Sequence, residues 1–249
     1  MQIDLAGKRA VITGGSRGIG RAIALGCAAA GAAVSICARG AGGLAPVRDE
    51  IAAHGVRAHA QACDVADPQA LSAYIGAAAE ALGGIDILVC NASGFGTTND
   101  EAGWARSIDV DLLGTVRAIR AAVPHLEKSG AGAIVNISSI SGLRAAARTA
   151  PYGAVKAALI EYTMSEAAAL ARKGIRVNCV APGSVEFPGG SWEKRKTDAP
   201  KLYDAILRSI PFGRLGHPEE VANVVVFLAS PLAGWVTGQT ISVDGGQLL

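Results

Sequence analysis

Short runs of β-branched and aliphatic residues alternate with longer alanine-rich stretches along the whole chain. Arg9–Thr13, Ala33–Cys37, Val56–Ala62, Ile85–Cys90, Ala133–Ile137, Ile175–Val180 and Thr240–Val243 predict strands. They are almost wholly apolar rather than alternating, the pattern of strands buried on both faces of a parallel sheet. Between them, residues 18–30, 43–54, 68–82, 100–128, 150–172, 191–209 and 217–230 predict helices. Asp67-Pro68 and His217-Pro218-Glu219-Glu220 place proline at a first helical position, with acid near the positive end of the helix dipole. This regular alternation predicts an α/β fold: a single doubly wound parallel sheet, Rossmann-like, with helices on both faces. No linker, repeat or low-complexity tract interrupts it, so residues 1–249 read as one domain. The one long departure, Gly183 to Pro200, is rich in Gly, Pro and charge and follows a predicted strand. It therefore lies at the carboxyl edge of the sheet, where such folds bind ligands, and predicts a substrate lid over about 184–210.

Composition narrows the class. Glycine is in excess, 32 of 249 residues, against an average share of about 7%. It has no three-residue period and sits beside ample Val, Ile and Leu, which excludes collagen and disorder. A net charge of +2 gives no electrostatic reason to expect a nucleic acid or a membrane as partner. Ala22 to Cys37 is uncharged but too short to span a bilayer, and reads as a buried helix, a glycine stop and a strand. Five cysteines without C-x-x-C spacing argue against a disulfide framework or a metal site. The start, Met1-Gln2-Ile3-Asp4-Leu5, lacks a basic stretch followed by an apolar one, so no signal peptide is expected. The expected setting is cytoplasmic and the expected partner a small molecule.

Three motifs carry chemistry. Thr13-Gly14-Gly15-Ser16-Arg17-Gly18-Ile19-Gly20 joins the first strand to the first helix. Glycines there turn the chain sharply and let a pyrophosphate approach the backbone at the helix amino end. The second strand closes on Cys37-Ala38-Arg39, with no acid to hold a ribose 2′-hydroxyl. Arg39, with Arg17 from the glycine turn, suits a 2′-phosphate instead, which predicts NADP(H) over NAD(H). Tyr152 and Lys156, four apart, share one helix face. A phenol with pKa near ~10 is a poor acid–base group at neutral pH, and a neighbouring cation lowers that value. Ser139, thirteen residues before Tyr152 at a strand end, is placed to donate to a carbonyl oxygen.

Taken together, these residues resemble the short-chain dehydrogenase/reductase family of compact, 250-residue type, over essentially the whole chain. Thr13 to Gly20 resembles its TGxxxGxG turn, and Cys63-Asp64-Val65 the pair whose acid contacts adenine. Cys90-Asn91-Ala92-Ser93-Gly94 is similar to its NNAG element under the nicotinamide ribose. Ser139, Tyr152 and Lys156 fall on its catalytic serine, tyrosine and lysine. Asn178 to Gly183 resembles its N-x-x-x-P-G segment beside the nicotinamide, and Val243-Asp244-Gly245-Gly246 its carboxyl end. The resemblance implies cofactor contacts from Gly14, Ser16, Arg17, Gly18, Ile19, Gly20, Arg39, Asp64 and Val65. It implies further ones from Asn91, Ala92, Tyr152, Lys156, Pro182, Gly183 and Val185.

Three departures stand out. Val110-Asp111-Leu112 carries Asp111 where the family often completes a tetrad with Asn, and an ionised carboxylate accepts but cannot donate. Phe187 stands where many members have Thr after P-G, and Ser93 is inserted before Gly94. Phe95, Phe187 and Trp192 fall on the ligand edge, either as an apolar substrate wall or as pins holding the lid to the core. Scattered histidines have no ligand spacing, and no metal is expected. The combined expectation is hydride transfer between NADP(H) and a ketone or secondary alcohol, with Tyr152 as acid/base. The alternatives are a 3-oxoacyl-carrier-protein reductase, which the tail from Ile210 through Gly246 resembles, and a non-catalytic NADP-binding regulatory or structural subunit. The resemblance also implies a homotetramer, or a homodimer, packing through helices near 100–128 and 150–172.

Overall fold

The apolar runs β1 (Arg9–Thr13), β2 (Ala33–Ala38), β3 (Ala58–Ala62), β4 (Ile87–Cys90), β5 (Ala133–Ile137), β6 (Arg176–Pro182) and β7 (Thr240–Val243) form one sheet. These elements come from a computed structural model that describes residues 3–249; Met1 and Gln2, where the signal-peptide reading begins, lie outside the described residues. All pairings are parallel, in the order β3-β2-β1-β4-β5-β6-β7. The chain leaves β1 toward β2 on one side and resumes at β4 on the other. That reversal opens a crevice at the carboxyl ends of β1 and β4, the place where open α/β sheets take ligands.

Side chains alternate across each strand, so neighbouring residues feed two different cores. Ala10 and Ile12 of β1 join Val34, Ile36 and Val135 on one face, beneath α1 (Gly18–Ala29) and α9 (Pro218–Ala229). Val11 points to the other face with Leu88, Ile134 and Val177. There it meets α3 (Pro68–Leu82), α5 (Gly114–Ser129) and α6 (Ala150–Leu170). Pro68 opens α3 as expected, and Asp67 before it caps the helix, accepting from the backbone N–H of Gln69 (2.8 Å) and Ala70 (3.1 Å). At α9 the Glu220 carboxylate accepts from the His217 N–H at 2.8 Å.

Burial on both faces holds for the inner strands only. The edge strands β3 and β7 are half-exposed, which agrees with the polar His59 and Gln61 of β3. β3 begins at Ala58 rather than Val56, and α2 spans Leu44–Ala52. The stretch predicted as one helix over 100–128 is α4 (Glu101–Arg106), a π-helical segment (Ser107–Leu113), then α5. The stretch over 191–209 is two helices, α7 (Ser191–Asp198) and α8 (Pro200–Arg208). Pro200 explains the break: it disfavours helical backbone at Ala199, which sits at φ −147° and ψ 60°. Gly183 to Pro200 is therefore not irregular throughout, since α7 occupies its second half.

Candidate active site

A cavity of about 1070 Å³ opens over the carboxyl edge of the sheet. Its floor is the glycine turn. Gly14 has φ +69°, and a Cβ there would lie 2.9 Å from the Ala92 Cα. A Cβ on Gly20 would collide with the Gly14 carbonyl oxygen and the Asn91 amide. Arg17 occupies the N-cap position of α1 without a capping side chain, and no acid lies in the first turn. The first N–H groups of α1 are thus free to meet an anion at the positive end of the dipole. Ser16, Arg17, Ile19 and Arg39 line this part of the cavity, with Asp64 and Val65 beyond β3. A backbone cradle that side chains would fill, an uncapped helix end and two arginines suit a dinucleotide phosphate.

Asn91 lines the cavity, with its side-chain amide turned toward the glycine turn. Its amide Nδ2 donates to the carbonyls of Thr13 and Gly14, both at 3.0 Å. The Thr13 hydroxyl in turn accepts from the N–H of Asn91 (3.0 Å) and Ala92 (3.2 Å). Both amide hydrogens of Asn91 are spent on holding β4 to the glycine turn. Ala92 lines the cavity beside it.

The second cluster stands where β5 ends. Ser139 caps a short 3₁₀ turn, its Oγ accepting from the Ser141 N–H at 3.1 Å, which leaves its own proton free to donate. Tyr152 opens α6, and the Lys156 ammonium lies 5.5 Å from the centre of its ring one turn later. Ser138 Oγ donates to the Lys156 carbonyl at 2.7 Å and pins α6 to the strand end. Lys156 Nζ donates to the Ile137 carbonyl at 2.9 Å and stands 3.0 Å from Asp111 Oδ1. Asp111 Oδ2 accepts from the Gly94 N–H at 2.8 Å. Asp111 and Lys156 are 1% and 2% exposed, so this is a buried ion pair whose lysine reaches the cavity.

Electrostatics correct one expectation. Burial pushes the Tyr152 phenol above its ordinary value; Lys156 pulls it back, Asp111 raises it further, and the Ser139 hydroxyl lowers it. The balance is a raised phenol, although the lysine acts in the expected direction. Burial also pulls the Lys156 ammonium down, but Asp111 and Tyr152 outweigh it and hold it above its usual range.

The three aromatic residues take different posts. Phe95, with φ +50°, is 44% exposed and lies 5.2 Å, centre to centre, from the Tyr152 ring. The Phe187 ring covers Gly18 and Gly190 and packs on the core, and it also lines the cavity. Gly18 does not line the cavity, because this ring shields it. Trp192 packs edge-on against Tyr203 and carries the Arg195 guanidinium 4.8 Å from its ring centre. Pro182, Gly183 and Val185 form the wall after β6. Arg17 reaches across to donate to the Gly189 carbonyl at 3.2 Å, tying the lid to the glycine turn.

Several lining residues were not singled out from the sequence. Arg144 and Arg148 lie between Ser139 and Tyr152 in the chain, a position that itself marks the loop after β5. Gln247, near the carboxyl end, accepts from the Ser184 N–H at 3.0 Å through Oε1, and its carbonyl accepts from Arg144 at 2.9 Å. Among the described residues no group of His, Cys, Asp and Glu has the makings of a metal site.

The chain is similar to known proteins along its whole length. A family model described as enoyl-(acyl carrier protein) reductase matches residues 14–247. Isoepoxydon dehydrogenase patN of Aspergillus clavatus is 40% identical over 250 residues, covering 98% of this chain and 95% of that protein. The 3-oxoacyl-[acyl-carrier-protein] reductase FabG of Vibrio cholerae is 37% identical over 254 residues, covering 99% and 100%. The solved structure of L-sorbose reductase from Gluconobacter frateurii, complexed with NADPH and L-sorbose, superposes with a TM-score of 0.92 at 33% identity. It covers 100% of this chain and 99% of that one. A parallel sheet with a glycine turn at its crevice, matched end to end by such proteins, makes this chain a member of the short-chain dehydrogenase/reductase family of oxidoreductases.

Proposed function

We propose that the protein transfers a hydride reversibly between NADP(H) and the carbonyl or secondary alcohol of a small molecule, with Tyr152 as acid/base. The observation that carries this reading is the convergence of Ser139, Tyr152 and the glycine turn on one cavity, with Lys156 one helical turn behind the tyrosine. When bound, the nicotinamide supplies or accepts the hydride, and the protein supplies position and electrostatics. The free proton of Ser139 polarises the substrate oxygen, and Tyr152 protonates it as the alcohol forms. Lys156 holds the nicotinamide ribose through its ammonium. The α1 amino end takes the diphosphate, and Asp64 and Val65 take the adenine. Pro182, Gly183 and Val185 meet the nicotinamide, with Ala92 on the ribose side.

Arg17 and Arg39, with no acid at the end of β2, support NADP(H) over NAD(H). L-sorbose reductase, a related protein, is complexed with NADPH. Residues 184–210 serve as the lid of a single domain. Phe95 and Trp192 face the substrate beneath it. Five free, buried cysteines support a reducing, cytoplasmic setting. Exposed Trp104, Ile108 and Met164 on the 100–128 and 150–172 helices support association into a homotetramer or homodimer.

A panel of ketones and secondary alcohols, followed by NADPH absorbance, tests the reading. Saturable turnover with NADPH well above that with NADH supports it, and no turnover despite tight NADPH binding favours the non-catalytic alternative. A second substrate class, a 3-oxoacyl thioester on an acidic carrier, is favoured by Arg144, Arg148 and Arg195 in the cavity wall. Preference for such thioesters over simple ketones would select it.

A further inference from the structure

Lys156 carries three ammonium donors. One goes to the Ile137 carbonyl at 2.9 Å, and a second faces Asp111 Oδ1 at 3.0 Å. Asp111 is fixed from its other oxygen by the Gly94 N–H at 2.8 Å, and it projects from the π-helical segment Ser107–Leu113. A π turn inserts an extra residue and re-aims the side chains that follow. Here it delivers a carboxylate, not the amide frequent in the family, into a buried position 3.0 Å from the lysine ammonium.

The other titratable groups that act on Lys156 are held in their neutral form. Cys90, at the end of β4, is pushed up to about 12 by burial. Cys179 of β6 is likewise raised by burial. Tyr152, from α6 itself, is the remaining neighbour. Asp111 is thus the anion that faces this ammonium, and a paired lysine presents a much weaker field to the phenol than a free one.

We propose that Asp111 is a positioning residue: it neutralises Lys156 in place, so that Tyr152 remains a proton donor through neutral and moderately alkaline pH. The site is then poised for reduction over a broad pH range, and oxidation needs alkaline conditions to free the phenolate. The catalytic half of this statement rests on Tyr152 being the acid/base group; the titration half does not.

Tyrosinate absorbance, measured against pH on the unliganded protein, tests it. Subtracting the curve of Tyr152→Phe isolates Tyr152, because Tyr74, Tyr162 and Tyr203 are all raised. In the wild type the isolated transition is expected above the free value of about 10, and a transition near neutral pH would overturn the proposal. Asp111→Asn preserves shape and removes charge. It is expected to strengthen the Tyr152 acid at least tenfold, lowering the transition by about 1 unit. The alkaline rise of kcat/KM for alcohol oxidation should move with it. A transition that stays put or moves upward in Asp111→Asn contradicts the proposal. If that variant does not fold, the wild-type transition alone decides. A raised phenol without hydride transfer would remove the proposed function and leave the pairing intact.

Discussion

A methyl group at Gly20 would meet the Gly14 carbonyl oxygen and the Asn91 amide, neither of which can retreat. Asn91 is held by two backbone carbonyls, so overpacking there disturbs β1, β4 and the helix end together. Gly20→Ala is expected to cost about 1–3 kcal/mol in denaturant unfolding and to weaken NADPH binding. An unchanged midpoint with unchanged binding would contradict the cradle. Arg39 is exposed and touches only the cavity, so its loss separates recognition from folding. Arg39→Ala is expected to raise KM for NADPH about tenfold, the loss of one charge-assisted contact, and to leave KM for NADH alone. Equal effects on both cofactors would refute the 2′-phosphate assignment. At this scale the sequence was informative wherever chemistry demands a residue type at a fixed spacing: the glycine turn, Ser139, Tyr152 and Lys156. Gln247 was illegible because only folding brings it to Ser184, sixty-three residues away. Asp111 was visible as a departure, but its contact with Lys156 was not.

Helix α9 packs on α1, whose amino end forms the cofactor floor, so the cap of α9 bears on the site. Glu220 receives two guanidinium contacts from Arg214 (2.8 and 2.6 Å) and the His217 N–H. Those contacts, Arg214 first, lower its carboxyl to about 2. A depressed carboxyl stabilises the fold above its ordinary value near 4.5, and the gain disappears as pH falls toward about 2. With the Glu220 side chain 40% exposed and Arg214 48%, screening limits the gain to about 1 kcal/mol or less. Glu220→Gln should therefore lower Tm by about 2 °C at neutral pH and by nothing near pH 2. Equal losses at both pH values would show that the charge is not responsible. Element boundaries were legible where caps are written in the chain, as at Asp67-Pro68. The π-helical segment Ser107–Leu113 had no such mark in the chain. Pro200 was such a mark, yet a single helix over 191–209 was expected to run through it, and the break between α7 and α8 falls there.

Parallel pairing throughout the sheet gathers the carboxyl ends of β1, β4, β5 and β6 along one edge, and every part of the proposed site comes from that edge. The alternation of apolar runs and helices made this architecture readable. The half-exposed edge strands escaped the apolar rule because a strand at the rim has one neighbour fewer. Exposed Trp104, Ile108 and Met164 lie on the stretches proposed to meet symmetry mates. Light scattering is expected to give four copies of the 25.1 kDa chain, roughly 100 kDa, or a dimer at half that mass. A monomer mass would exclude the assembly.

The central claim is that Tyr152 moves the proton while the rest of the cavity holds the cofactor. The direct measurement compares wild type and Tyr152→Phe for NADPH oxidation with the best carbonyl substrate and for NADPH binding. A loss of about 10²–10⁴-fold in kcat with binding unchanged is the predicted result. Turnover near the wild-type rate in Tyr152→Phe would contradict it.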